Sequence, residues 1–179
     1  VLGGGGIGIC AILMAWDIGM YPIISVDTSD DRLALAKSAG AHILINPRKT
    51  RISKLILAEV KNGLDFCVEA TGNKAVIEDL MGCIKPRSGK AVIVGNVSHG
   101  EVVNISPAEF NAGKSLLGTW GGNSEPDRDM SSFFKIIERH KDFIDQLSPT
   151  SYCLDDVNTA LDAMRQKSVG RALLNLSDC

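Results

Sequence analysis

The chain has 179 residues, with 19 Lys and Arg against 21 Asp and Glu and a formal net charge of -2. That length suits one domain, or one domain plus a fragment of another, and the scattered basic residues exclude a broad nucleic-acid surface. Hydrophobic residues make up 45%, enough for a sizeable core, and the lack of low-complexity tracts or long charge runs excludes a disordered chain.

The opening, VLGGGGIGIC, sets a glycine-rich turn after only two strand-forming residues, Val1 and Leu2. A strand usually runs for about five or six residues, so either the glycine motif is an accident or the chain has lost what came before it. Residues 7–19 read as a helix that is apolar nearly all round and buried on most sides. The apolar stretch 7–26 has Asp17 in its middle and is broken at Gly19 and Pro22. A spanning helix needs about twenty uninterrupted apolar residues. No Lys or Arg precedes Arg32, so the basic start of a signal peptide is also lacking. The expectation is a soluble protein with no membrane partner.

YPIISVD (21–27) reads as a strand without alternation, as suits the interior of a parallel sheet. Ser29 or Asp30 caps a helix that ends at Gly40, and HILIN (42–46) is a short strand stopped by Pro47. Apolar Ile52, Leu55, Ile56 and Val60 repeat at helical spacing over 51–61. LDFCVEA (64–70) is a strand, Asn73 caps a helix to about Ile84, and KAVIVG (90–95) is a strand. Alternation of strand and helix argues βαβ crossovers and an α/β, doubly wound parallel sheet with helices on both faces. Further on, 101–105 reads as a short strand, 107–112 as a helical turn and 115–120 as a sixth sheet strand. A helix over 127–140 follows, then a strand at 151–154, a helix at 155–166 and a strand at 171–176.

The five cysteines, Cys10, Cys67, Cys83, Cys153 and Cys179, are odd in number and form no CxxC pair. This argues against a disulfide framework and for the cytoplasm. His42, His99 and His140 are isolated, without metal-ligand spacing.

Gly3, Gly5 and Gly8 satisfy GxGxxG. The first glycine permits a tight turn, the second a close approach of pyrophosphate, and the third close packing of helix on strand. The helix start at Gly6 and Ile7 then offers free N–H groups to phosphate. A glycine turn without a ligand is the competing reading of this motif alone. Asp27, 24 residues after Gly3 at the end of the next strand, strengthens the dinucleotide reading. An acid there can accept hydrogen bonds from both ribose hydroxyls of an adenosine. A methyltransferase-like fold shares turn and acid but ends in an antiparallel hairpin, which is not legible here.

VLGGGGIG, VDTSDDRLALAKSAGAHILINP, GLDFCVEATGN, GKAVIVGNVS, LLGTWGGNSEPDRDM and DDVNTALDAMRQKSVGRALLNL, in this order, resemble the medium-chain zinc-type alcohol dehydrogenases. The resemblance implies a Rossmann coenzyme domain over 1–140 with its first strand truncated. It also implies a tail over 141–179 that packs toward a GroES-like catalytic domain absent from this sequence. It places the coenzyme contacts at the glycine turn, at Asp27 and at Arg32 beside the adenosine ribose. Thr71 and Gly72, and Val94, Gly95 and Asn96, match the strand-end loops that line the cleft. Trp120, Gly121 and Gly122 match the segment at the nicotinamide carboxamide, and Arg171 matches an arginine that reaches the pyrophosphate.

The implied function is the NAD(H)-binding part of a zinc-type alcohol or polyol dehydrogenase. Zinc and a small alcohol or carbonyl substrate belong to the intact parent, and no catalytic residue lies in this chain. Pairing of strand 115–120 with its copy would give a homodimer. The alternative is a non-catalytic nucleotide-binding module.

Overall fold

In the computed structural model, which describes residues 1–147, 150–166 and 172–176, strand and helix alternate along the chain. The chain divides into two units, Val1–Pro126 and Asp127–Cys179. This division and the boundary expected at 140 differ by one helix, α6 (Pro126–Arg139).

The first unit runs α1 (Gly6–Asp17), β1 (Ile24–Val26), α2 (Asp30–Ser38), β2 (Ile43–Ile45), α3 (Ile52–Glu59), β3 (Phe66–Glu69), α4 (Lys74–Leu80), β4 (Lys90–Ile93), α5 (Pro107–Asn111) and β5 (Ser115–Gly118). All the strand pairs are parallel: β1 with β2, β3 with β4, and β4 with β5. Leu2 joins these groups, bridging Val26 on one side and Glu69 on the other. Its N–H donates to Val68 O at 2.8 Å, and Ala70 N–H donates to Leu2 O at 2.8 Å. On the β1 side, Gly3 N–H donates to Val26 O at 2.8 Å and Val26 N–H to Val1 O at 3.0 Å. Residues 1–3 thus occupy the place of a central strand, giving the order β2-β1-Leu2-β3-β4-β5. This is the doubly wound order 3-2-1-4-5-6, with helices on both faces.

The helices start where side chains can take up free N–H groups. Ser29 Oγ accepts from Arg32 N–H ahead of α2, and Asn73 Oδ1 accepts from Ala75 and Val76 N–H ahead of α4. The core gathers around Leu2, Val26, Ile56, Leu80, Met81 and Ile84, each contributing about 1.5–3 kcal/mol by leaving water. At the far end of α1, Trp16 lies over Gly40, where a Cβ would come within 2.5 Å of the indole.

Three expectations are corrected. Helix α1 buries one face, through Gly8, Ile9, Ile12 and Leu13, while Ile7 and Trp16 are exposed. The segment 101–105 is extended but pairs with no strand among the described residues. Both edges of β4 are already taken by β3 and β5, and Asn104 instead donates its N–H and Nδ2 to Glu78 Oε1 at 3.0 and 3.1 Å. The sixth strand stops at Gly118, because positive φ at Gly121, Gly122 and Asn123 turns the chain soon afterwards.

The second unit comprises α6, α7 (Lys141–Gln146), β6 (Thr150–Cys153), α8 (Val157–Arg165) and β7 (Ala172–Asn175). Here β6 and β7 pair in parallel with α8 between them in sequence, and a 3-10 turn over Leu154–Asp156 delays the helix. No helix among the described residues is long and apolar enough to cross a membrane.

Asp79 ties α4 to the start of α3. Its carboxylate accepts Arg51 Nε and Nη2 at 3.1 and 2.6 Å, Ser53 N–H at 2.8 Å and Ser53 Oγ at 2.7 Å. Asp79→Ala should therefore cost about 1.5–3 kcal/mol, read as a lower urea midpoint at unchanged m-value. An unchanged midpoint would show that the buried serine donors lose nothing with the acid.

Cys67 and Cys83 are fully buried, and burial pushes the Cys67 thiol from its ordinary 9.0 up to about 11 and Cys83 further in the same direction. Their neutral form favours the folded state fully below pH 9, and for Cys67 that contribution is lost as pH rises toward 11. At pH 8 a disulfide reagent should label the exposed Cys10 and leave both buried thiols untouched until urea is added. Peptide mapping that finds Cys67 labelled in the native chain would contradict this packing.

Candidate functional site

The glycine turn meets three different requirements. Gly3 has φ +97, and a Cβ there would meet Thr71 Cγ2 at 2.9 Å; at Gly8 a Cβ would lie 1.7 Å from Gly3 O. Both glycines serve the chain's own packing of helix on strand. Gly5 is different, with an ordinary φ of -71 and nothing within 4 Å of its Cβ position. Neither its backbone nor its protein neighbours require glycine, so the smooth surface there suits close approach of a ligand.

Gly5 also begins α1 without a side-chain cap, and the first turn carries no acid. The N–H groups of Gly6, Ile7 and Gly8 have no acceptor among the described residues. They sit at the positive end of a helix of 12 residues, which is a ready anion site.

Asp27 stands beside this turn, 9% exposed. Its Oδ2 accepts Gly4 N–H at 2.7 Å, and its Oδ1 accepts Ser29 N–H at 2.9 Å. Each oxygen keeps a lone pair for a further donor, so the acid is oriented without being used up. Arg32 Nη1 lies 4.0 Å from Oδ2, which sets a cation beside the acid. A cleft of about 490 Å³ opens next to it, lined by Thr28, Pro47, Arg48, Arg51, Val76 and Asp79 among others. Asn46 Nδ2 holds its rim, donating to Thr28 O at 3.1 Å and to Asp30 Oδ1 at 2.8 Å. This cleft was not legible in the sequence, because the loops after β1 and β2 and helix α4, far apart in the chain, build it together.

The ends of β3 and β4 interlock. Gly72 has φ +63, and a Cβ there would meet Asn96 O at 2.3 Å; a Gly95 Cβ would meet Gly72 N at 2.2 Å. Val94 and Gly95 N–H donate to Glu69 O at 2.9 and 3.0 Å. Sequence reasoning missed Glu69, whose side chain is 0% exposed. Its signal was an acid inside the apolar run FCVEA, a position that a parallel sheet buries.

Not every expected residue joins this group. Trp120 is 82% exposed and Gly121 follows it in the turn after β5. Neither is hydrogen-bonded to the glycine turn or to Asp27 among the described residues. Arg171 lies outside the described residues. Among those described, no three His, Cys, Asp or Glu side chains gather where they could hold a metal ion.

The chain is 30% identical over 176 residues to alcohol dehydrogenase 6 of Peromyscus maniculatus, covering 97% of this chain and 47% of that protein. Alcohol dehydrogenase class-2 isozyme 2 of Oryctolagus cuniculus is 27% identical, at 97% and 46% coverage. The chain thus spans about half the length of the curated relatives it matches. The crystal structure of benzyl alcohol dehydrogenase from Acinetobacter calcoaceticus superposes with a TM-score of 0.90 at 26% identity, covering 98% of this chain and 48% of that one. A zinc-binding dehydrogenase from Sinorhizobium meliloti 1021, solved bound to NADP, shares the fold with a TM-score of 0.75 at 24% identity, covering 91% and 46%. The family model described as zinc-binding dehydrogenase matches residues 6–139, three quarters of the sequence, and the chain belongs to that family.

Proposed function

We propose that this chain is the NAD(H)-binding part of a zinc-type alcohol or polyol dehydrogenase, holding nicotinamide for hydride exchange with an alcohol or carbonyl. The observation that carries this reading is Gly5, open to solvent at an uncapped helix start beside an oriented, buried Asp27. The free N–H groups of Gly6, Ile7 and Gly8 would take the pyrophosphate oxygens, and Asp27 the hydroxyls of the adenosine ribose. A base on that ribose has the cleft beside Thr28 to enter. The loops at Thr71, Gly72, Gly95 and Asn96 would border the other half of the dinucleotide. Zinc held by the whole enzyme would supply Lewis-acid chemistry at the substrate oxygen. Five cysteines, odd in number and without a CxxC pair, support the cytoplasm as its compartment.

Asp27 also sets the choice of coenzyme, because its carboxylate would repel a 2′-phosphate. Calorimetry should show NADH bound at least roughly tenfold more tightly than NADPH, and Asp27→Asn should narrow the gap. Equal affinities in the unmutated chain would remove the preference for NAD(H). Binding of neither would remove the nucleotide reading.

The outer edge of β5 has no partner strand among the described residues, and Leu117 on it is 51% exposed. An open edge of this kind invites a second copy, and a two-fold contact needs one self-complementary patch. Antiparallel pairing of β5 with its copy would make a homodimer with one continuous sheet. Sedimentation should find a dimer at micromolar concentration and a monomer for Leu116→Pro, which deletes a donor on the outer edge, since Ser115 N–H and, by alternation, Leu117 N–H face β4. An unmutated chain already monomeric there would refute the pairing.

A further inference from the structure

A carboxylate taken fully out of water costs free energy unless charges or donors compensate it. Glu69 is such a group, and no Lys, Arg or His pairs with it among the described residues. Its compensation is the turn that follows β3. Oε1 accepts Thr71 N–H at 2.7 Å, Gly72 N–H at 3.1 Å and the Thr71 hydroxyl. Oε2 has only Gly72 N–H at 3.4 Å and lies against Gly95, whose Cβ position is 2.7 Å away.

One side chain therefore fixes two loops at once. It holds the turn after β3 through three donors, and it sets how closely the turn after β4 can approach. Main-chain bonds from Val94 and Gly95 to Glu69 O fasten the second turn to the same residue. Both loops stand on the opposite side of Leu2 from Asp27. A doubly wound sheet binds a dinucleotide across that divide, one mononucleotide to each half.

We infer that Glu69 is a positioning residue for the nicotinamide half of the coenzyme, acting through the loops at Thr71, Gly72, Gly95 and Asn96 rather than by contact. This rests on the nucleotide reading above. A carboxylate that served stability alone would affect both halves of the site alike. Glu69 in the proposed role affects only the half on its own side, so the comparison of ligands separates the two.

The test is calorimetric titration of the chain with NADH and with ADP, which lacks the nicotinamide half. Glu69→Gln keeps the side chain's size but gives the three donors a neutral, weaker acceptor. It should weaken NADH roughly tenfold and change ADP less than about twofold. Thr71→Val, which removes one donor to Oε1, should weaken NADH in the same selective way, whereas Thr71→Ser, which keeps the hydroxyl, should restore it. This pair decides the matter should Glu69→Gln fail to fold. Equal losses for both ligands, or no loss for either, would overturn the inference. So would an unmutated chain that binds NADH no more tightly than ADP, although the nucleotide reading would then stand. A chain that binds neither ligand would overturn both.

Discussion

Everything in the first unit depends on main-chain hydrogen bonds made by residues 1–3. Leu2 and Ala70 close the ladder to β3, while Gly3 and Val26 close it to β1. Without them there are two separate sheets, β1 with β2 and β3 with β4 and β5, and the two-stranded one is too small to be stable alone. With them the glycine turn leaves the middle of one sheet, between the two strand ends that carry Asp27 and Glu69. The location of the candidate site is thus a consequence of pairing, and the chemistry of the turn follows from it.

Three buried or nearly buried acids mark the first unit, and each is stabilised in a different manner. Asp79 is paired with Arg51 and with both donors of Ser53, and it joins two helices. Asp27 has one main-chain N–H on each oxygen and keeps acceptor capacity in reserve. Glu69 is compensated by a single turn whose donors converge on one oxygen. The fully saturated Asp79 is a structural tie. Asp27, held by two backbone N–H groups with the Arg32 guanidinium 4.0 Å away, and Glu69, held by the turn after β3, flank the glycine turn.

The motif at residues 3–8, Asp27 and the alternation of strand and helix were legible because each reflects a local rule of spacing or propensity. The extended stretch 101–105 was misread for the same reason. Its β-branched Val102, Val103 and Ile105 suit a strand, but Asn104 is tied to Glu78 on α4 instead, a contact that lies beyond local sequence. Helix α1 misled in the other direction. Apolar residues all round its surface suggest burial on every side, yet only the side toward Ile9, Ile12 and Leu13 is covered. The role of Glu69 required knowing that the turns after β3 and β4 touch, a contact between residues over twenty apart in sequence. The cleft beside Thr28 is of the same kind.

The two close contacts of α1 have a mechanical consequence. At its start, Gly8 sits against Gly3 O so tightly that no side chain fits; at its far end, Trp16 rests on Gly40. A helix of 12 residues is about 18 Å long. Seated at both ends, it behaves as a rod held between two stops, unable to slide along its axis. Its leading N–H groups are therefore located as much by the indole at the rear as by the glycines in front. A bulkier residue at position 40 would push the rod forward or tilt it, and the disturbance would emerge a helix length away, as misaimed phosphate donors.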